Sequence, residues 1–98
     1  MAVTALLDLK LRADKVADAP AVIAAVLSQT RAFEGNEGLE VLEDVTDPTH
    51  LTVVEHWASI ERDDAYRAWR ATPEGASDLG SLLAGAPTLT RYETQSTL

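Results

Sequence analysis

The chain has 98 residues, 46% of them hydrophobic and 24% charged, with a formal net charge of −8 and no cysteine. That is enough for one globular domain, read over residues 1–98, but with little core to spare. The acidic balance disfavours a nucleic-acid or anionic-membrane partner, and the missing thiols exclude disulfides, thiolate metal sites and a cysteine nucleophile. No apolar run approaches the ~20 residues of a membrane-spanning helix, and the N-terminus lacks the basic and apolar regions of a signal peptide; a cytoplasmic location is the expectation.

Val3, Ala5, Leu7, Leu9 and Leu11 alternate with Thr4, Leu6, Asp8, Lys10 and Arg12, a period of two that predicts a first strand over 3–12. Pro20 suits a first helical position, and Val22, Ile23, Val26, Leu27 and Thr30 then recur at helical spacing through about Arg31. Gly35 and Gly38 end that element. A second strand alternates over 39–46. Asp47-Pro48-Thr49 reads as a tight turn, and a third strand over 50–58 completes an antiparallel hairpin.

Ser59 is a good N-cap, with Glu61 in the positive first turn of a second helix. The predicted inward stripe of that helix is Ala65, Ala68, Trp69 and Thr72, with Tyr66 beside it. Thr72-Pro73 stops the helix. Leu79, Leu82 and Leu83 give a short following helix a small apolar face, weakened by Gly75, Gly80 and Gly85. A fourth strand is predicted over 87–95. The order β-α-β-β-α-(α)-β is that of a ferredoxin-like α+β fold: a four-stranded antiparallel sheet with its helices on one face. The other face carries Leu6, Leu42, Val54 and Tyr92 among polar residues, which suits packing against a second sheet in a homodimer.

Three of the five aromatic residues, Trp57, Tyr66 and Trp69, fall at the junction of the third strand and second helix. Trp57 is either a flat wall for an aromatic ligand or a core residue whose indole N–H bonds locally. Glu55 lies between Val53 and Trp57 on the helix-facing side, where a carboxylate must be paired or protonated. Arg91 on the fourth strand is one available partner, and a base with a raised pKa is the functional alternative. Tyr66 and Trp69, three apart, both look toward the sheet, either as packing or with the Tyr hydroxyl on a phenol oxygen and Trp69 stacking. Arg67 and Arg70 are expected to point outward; turned inward, either could pin an anion. His50 and His56 have the parity opposite to Trp57 and should lie away from the pocket, and no metal site is expected. The sequence contains no dinucleotide, P-loop, zincin or nucleophile-elbow motif.

Taken in order, Thr30-Arg31-Ala32-Phe33-Glu34-Gly35, Asp47-Pro48-Thr49, Val54-Glu55-His56-Trp57-Ala58-Ser59, Asp64-Ala65-Tyr66 and Ala71-Thr72-Pro73 resemble the antibiotic biosynthesis monooxygenase family of dimeric α+β barrel proteins. Glu55, Trp57 and Ser59 match the family pattern; Tyr66 stands where the family usually has His. The haem-degrading branch uses an Asn on the first strand, and none is present there. The resemblance implies a cofactor-independent monooxygenase acting on a small aromatic substrate, a polycyclic phenol or anthrone-like molecule. The expected catalytic residues are Tyr66, Trp57 and Glu55, and the expected substrate contacts are Trp69, Arg91 and Val53, with no cofactor or metal. The alternatives are a non-catalytic small-molecule-binding or stress-related dimer, or a haem-binding relative.

Overall fold

The computed structural model describes residues 1–95 and 98. Its elements run β1 (Val3–Lys10), α1 (Ala19–Ala32), β2 (Asn36–Asp44), β3 (Asp47–Trp57), α2 (Ile60–Arg70) and β4 (Thr88–Glu93), with 3-10 turns at Ala13–Lys15 and Asp78–Leu82. The sheet order is β2-β3-β1-β4, and all neighbours are antiparallel. Each βαβ crossover therefore spans one intervening strand, which is the ferredoxin-like topology. Among the described residues no helix is long and apolar enough to cross a membrane.

The register fixes which side chains meet. Ala5 lies between Glu55 and Arg91, Leu7 between Val53 and Leu89, and Val3 between Trp57 and Glu93. Successive strand residues alternate faces, so Val53, Glu55 and Trp57 share the helix-covered face. His50 and His56 share the open one with Leu6, Leu42, Val54 and Tyr92. Leu42 and Tyr92 are 51% and 53% exposed there.

Several boundaries differ from the sequence reading. The hairpin turns at Val45-Thr46 rather than at Asp47-Pro48-Thr49. Asp44 Oδ1 accepts from both the Thr46 amide and hydroxyl, which closes the hairpin two residues early. Asp47 still accepts from the Thr49 amide, but within the first residues of β3, a position where Pro48 is tolerated. The second strand starts at Asn36 because Asn36 and Gly38, not consecutive residues, face Trp57 and His56 across a bulge. Gly38 takes φ +132, and its amide is held by Asn36 Oδ1 at 2.9 Å. The predicted helix after Pro73 is a single 3-10 turn, with Leu82 buried as expected.

Two apolar clusters form the core. One joins Leu9, Leu11, Ala19, Ile23, Leu27, Leu51, Val53 and Leu82. The other joins Val3, Ala5, Trp57 and Tyr66, with Phe33, Ile60 and Trp69 packed against it. The second is brought together by the corner after α1. Gly35, at φ +94, sits so close to α2 that a Cβ there would lie 2.5 Å from Arg62 Cβ, and Phe33 is carried onto the strand–helix junction.

Candidate functional site: a cavity between the two core clusters

A cavity of about 390 Å³ opens between the sheet, α1, α2 and the segment that follows α2. Its apolar walls include Leu7, Leu9, Ile23, Leu27 and Val53; its charged lining is Glu55, Arg67 and Arg70, with Tyr66 between them. The volume suits a small organic ligand.

The inward face of α2 is not the predicted one. Ala65 and Ala68 are exposed, while Asp63 and Tyr66 are buried and Arg67, Trp69 and Arg70 half-buried. Positions 63, 66, 67 and 70 make one helical stripe. The helix turns its charged face inward because the sheet presents Glu55, 1% exposed, to receive it. Arg67 Nη2 donates to Glu55 Oε1 at 2.5 Å, and Trp57 Nε1 donates to the same oxygen at 3.1 Å. The expected partner, Arg91, instead pairs with Asp64 at 2.5 Å and lies 3.5 Å from Asp63. Arg91 is in register with Glu55 across Ala5, but α2 places two nearer carboxylates above it. These pairings hold the Arg91 guanidinium above its ordinary pKa.

Glu55 uses only one oxygen in these bonds; among the described residues its Oε2 makes none. Arg67 Nε lies 3.0 Å from Asp63 Oδ1, yet neither atom completes a hydrogen bond among the described residues. Arg67 Nη1 is likewise free of one among them.

Arg70 is the opposite case. Its Nε donates to Tyr66 Oη at 2.7 Å, Nη1 to Gln29 Oε1 and the Gly75 carbonyl, and Nη2 to the Val26 carbonyl and Thr30 Oγ1. All five N–H groups are spent on neutral acceptors, and no carboxylate lies within ion-pair distance among the described residues. Thr30 donates to the Val26 carbonyl, so the 2.7 Å contact between Thr30 Oγ1 and Tyr66 Oη has Tyr66 as donor. The hydroxyl of Tyr66 is thus committed to Arg70 and Thr30 rather than pointed at a ligand.

Trp57 is fully buried and does not line the cavity. Its ring lies 4.9 Å from Tyr66 and 6.2 Å from Phe33. Trp69, 5.5 Å from Phe33 and 6.2 Å from Tyr66, also stands behind the wall. Of the sequence-derived candidates, the structure brings Val53, Glu55 and Tyr66 to the cavity and leaves Trp57, Trp69 and Arg91 outside its lining. Arg67 and Arg70, expected to point outward, line the cavity instead, and Thr30 and Phe33, which sequence reasoning did not connect with the site, touch Tyr66 from outside the lining. The i,i+4 pairs Asp63–Arg67 and Tyr66–Arg70 were the available signal.

The histidines keep to the open face, as their parity predicts. His50 bridges Asp8 at 2.6 Å and Asp44 at 2.9 Å. These bonds, first that to Asp44, raise the His50 pKa and lower that of Asp44 to about 2. No group of three or more metal-ligating side chains occurs among the described residues.

The sequence profile of the antibiotic biosynthesis monooxygenase family matches residues 2–75. The chain belongs to that family. Solved structures share the fold across nearly the whole chain. The protein Rv0793 from Mycobacterium tuberculosis is 21% identical with a TM-score of 0.77, covering 96% of this chain and 95% of its own. A conserved protein from Methanosarcina mazei is 18% identical with a TM-score of 0.81, covering 97% and 94%. A candidate antibiotic biosynthesis monooxygenase from Deinococcus radiodurans is 22% identical with a TM-score of 0.79, covering 98% and 95%. No curated protein sequence matches the chain.

Proposed function

We propose that this family member is a cofactor-independent monooxygenase that oxidises a polycyclic phenol or anthrone-like molecule with dioxygen. The observation that carries this reading is a carboxylate with an uncommitted oxygen, Glu55, in a mainly apolar cavity that also holds an unneutralised guanidinium, Arg70. A weakly acidic substrate supplies its own electrons. Glu55 takes the proton, and the field of Arg70 favours the resulting anion in a low-dielectric site. The anion passes an electron to dioxygen, recombination forms the new C–O bond, and loss of water converts a methylene to a carbonyl. One oxygen atom enters the product and the other leaves as water.

Val53 and the Tyr66 ring serve as walls in this reading. Trp57 holds Glu55 from behind, and Trp69 and Arg91 support α2. The open sheet face, with Leu6, Leu42, Val54 and Tyr92, supports a homodimer. Light scattering at twice 10.5 kDa would be the expected result, and a monomer would refute it. The commitment of the Tyr66 hydroxyl to Thr30 favours one second reading, a binding protein that holds such molecules without oxidising them. Oxygen uptake with a panel of anthrones and hydroquinones, in the presence of chelator, decides between them. Uptake above the spontaneous rate, lost in Glu55→Gln, is expected; tight binding without uptake would leave the binding protein.

A further inference from the structure

The cavity holds an ion pair that is only half-fastened. Glu55 is 1% exposed and its carboxylate is shared by two donors on one oxygen, leaving Oε2 free among the described residues. Arg67 is anchored to it through Nη2 alone. Its Nε sits near Asp63 without a completed bond, Nη1 is free among the described residues, and the guanidinium lies 4.9 Å from the Tyr66 ring centroid. Asp63, itself 0% exposed, has Arg91 at 3.5 Å on its other oxygen. A buried pair satisfied this incompletely is costly as a purely structural device. Arg70, with every N–H spent, contrasts with it: one guanidinium is fixed and the other is free to change partners.

We infer that Glu55 and Arg67 form an exchangeable ion pair that ionises a neutral acidic ligand without moving net charge into or out of the cavity. The O–H bond of a phenol or enol breaks, its proton forms a new O–H bond on Glu55 Oε2, and the electron pair stays on the ligand oxygen. Arg67, released from the now neutral Glu55, donates its free N–H groups to that oxygen. Asp63 and Arg91 keep the guanidinium in reach throughout. No oxidant takes part. The cavity contains one cation–anion pair before the transfer and one after it.

This fixes a substrate class within the phenol reading, on which the inference rests. A simple phenol is a far weaker acid than any carboxylic acid, and one exchanged partner closes only part of that difference. The ligand must be a stronger acid than a tyrosine-like phenol: an enol or phenol whose charge is delocalised onto a conjugated carbonyl or nitro group. Simple alkylphenols should bind without ionising.

The test is anaerobic, so it is independent of oxygenase turnover. 4-Nitrophenol, buffered below its own ionisation, is titrated with protein in weak buffer while phenolate absorbance and released protons are both followed. The wild type is expected to generate bound phenolate with almost no proton release. Glu55→Gln, which keeps the shape of the side chain, should release about one proton for each phenolate formed. Arg67→Met should bind the neutral phenol and give at least tenfold less phenolate, and Glu55→Gln/Arg67→Gln guards against misfolding from a single buried charge. Circular dichroism checks the fold of each. Proton release in the wild type equal to phenolate formed, unchanged phenolate in Arg67→Met, or no binding of the probe would each overturn the proposal. Oxygen uptake with anthrones in any of those cases would leave the oxygenase reading standing while this one falls.

Discussion

Arg70 offers the sharpest test of how the site is built. Arg70→Met keeps much of the aliphatic stem and removes all five donors. Three of their acceptors, the Val26 carbonyl, Thr30 Oγ1 and Gln29 Oε1, tie α1 to α2; a fourth, Tyr66 Oη, lies one turn back on α2 itself, and the fifth, the Gly75 carbonyl, ties α2 to the segment beyond it. Hydrogen bonds from a charged donor contribute roughly 1.5–3 kcal/mol each, but they do not all convert to lost stability. The Tyr66–Thr30 and Thr30–Val26 bonds survive, so those acceptors are not orphaned, and the Gln29 contact is exposed. Counting the Tyr66, Gly75 and shared Val26–Thr30 bonds at about 1 kcal/mol net apiece, the expected loss is about 3 kcal/mol. That is a large share of the roughly 5–15 kcal/mol available to a small domain. With a urea dependence of about 1–2 kcal/mol/M for a chain of this size, the midpoint should fall by roughly 1.5–3 M. Arg70→Lys should recover little, since a single ammonium cannot serve acceptors on both helices and the loop. A change below about 1 kcal/mol in Arg70→Met, or full rescue by Lys, would mean that the Arg70 bonds are not what fastens α2 to α1 and to the segment beyond it.

Gly75→Ala should destabilise the fold and reshape the cavity mouth, because a Cβ there would stand 1.9 Å from the Trp69 carbonyl oxygen; a melting temperature within a degree or so of wild type would contradict the close approach. Trp57→Phe should lose about 2–3 kcal/mol from the missing indole volume and its bond to the Glu55 carboxylate, with ligand affinity changed less than in Arg67→Met; the reverse ranking in paired urea melts and binding titrations would place Trp57 in the cavity wall after all. His50 carries a raised pKa through Asp44 and Asp8, so its contribution is fully present below its unfolded value of 6.5 and is lost as pH rises through the higher folded value. The lowered pKa of Asp44, about 2, gives a contribution present above 3.8 and lost as pH falls toward 2. Thermal melts from pH 3 to 9 should therefore decline at both ends, and His50→Gln should flatten the alkaline decline; an unchanged profile would show the bridge does not form.

The sheet was legible because period-two alternation forces an assignment of faces, and the faces settled Glu55, Trp57 and both histidines at once. The ends of strands were less so. Asp44 and Asp47 both make the side-chain bonds that close turns, and the choice between them depends on which register the neighbouring strand imposes. The site failed at α2 for a clearer reason. Counting apolar residues around the helix selects Ala65, Ala68 and Trp69, yet the inward stripe is Asp63, Tyr66, Arg67 and Arg70, the first two buried and the arginines half-buried. Hydrophobic periodicity finds faces that avoid water; it cannot find a face that is buried because a carboxylate on the opposing strand neutralises it. The clue was present in Glu55 itself. A carboxylate on an otherwise apolar strand face demands a cation, and the nearest helix supplies three.

The placement of charge also bears on what can enter. The protein carries a net −8, which opposes the approach of an anion, while Arg70 inside the cavity favours one. A ligand that arrives neutral and ionises only within reach of Glu55 meets neither obstacle, whereas a preformed anion must first cross the repulsive outer field. Salt separates the two cases, because the Debye length shrinks from about 30 Å at 0.01 M to about 8 Å at 0.15 M. For a neutral phenol or anthrone, the apparent association rate should stay constant over that range, since its encounter involves no net charge. For a carboxylate-bearing analogue of the same ring system, the rate should rise several-fold as screening removes the repulsion. Stopped-flow quenching of the Trp57–Trp69 fluorescence reports both. An association rate for the neutral compound that climbs with salt in parallel with the anion would mean that ionisation precedes entry, and Glu55 would then have no proton to take.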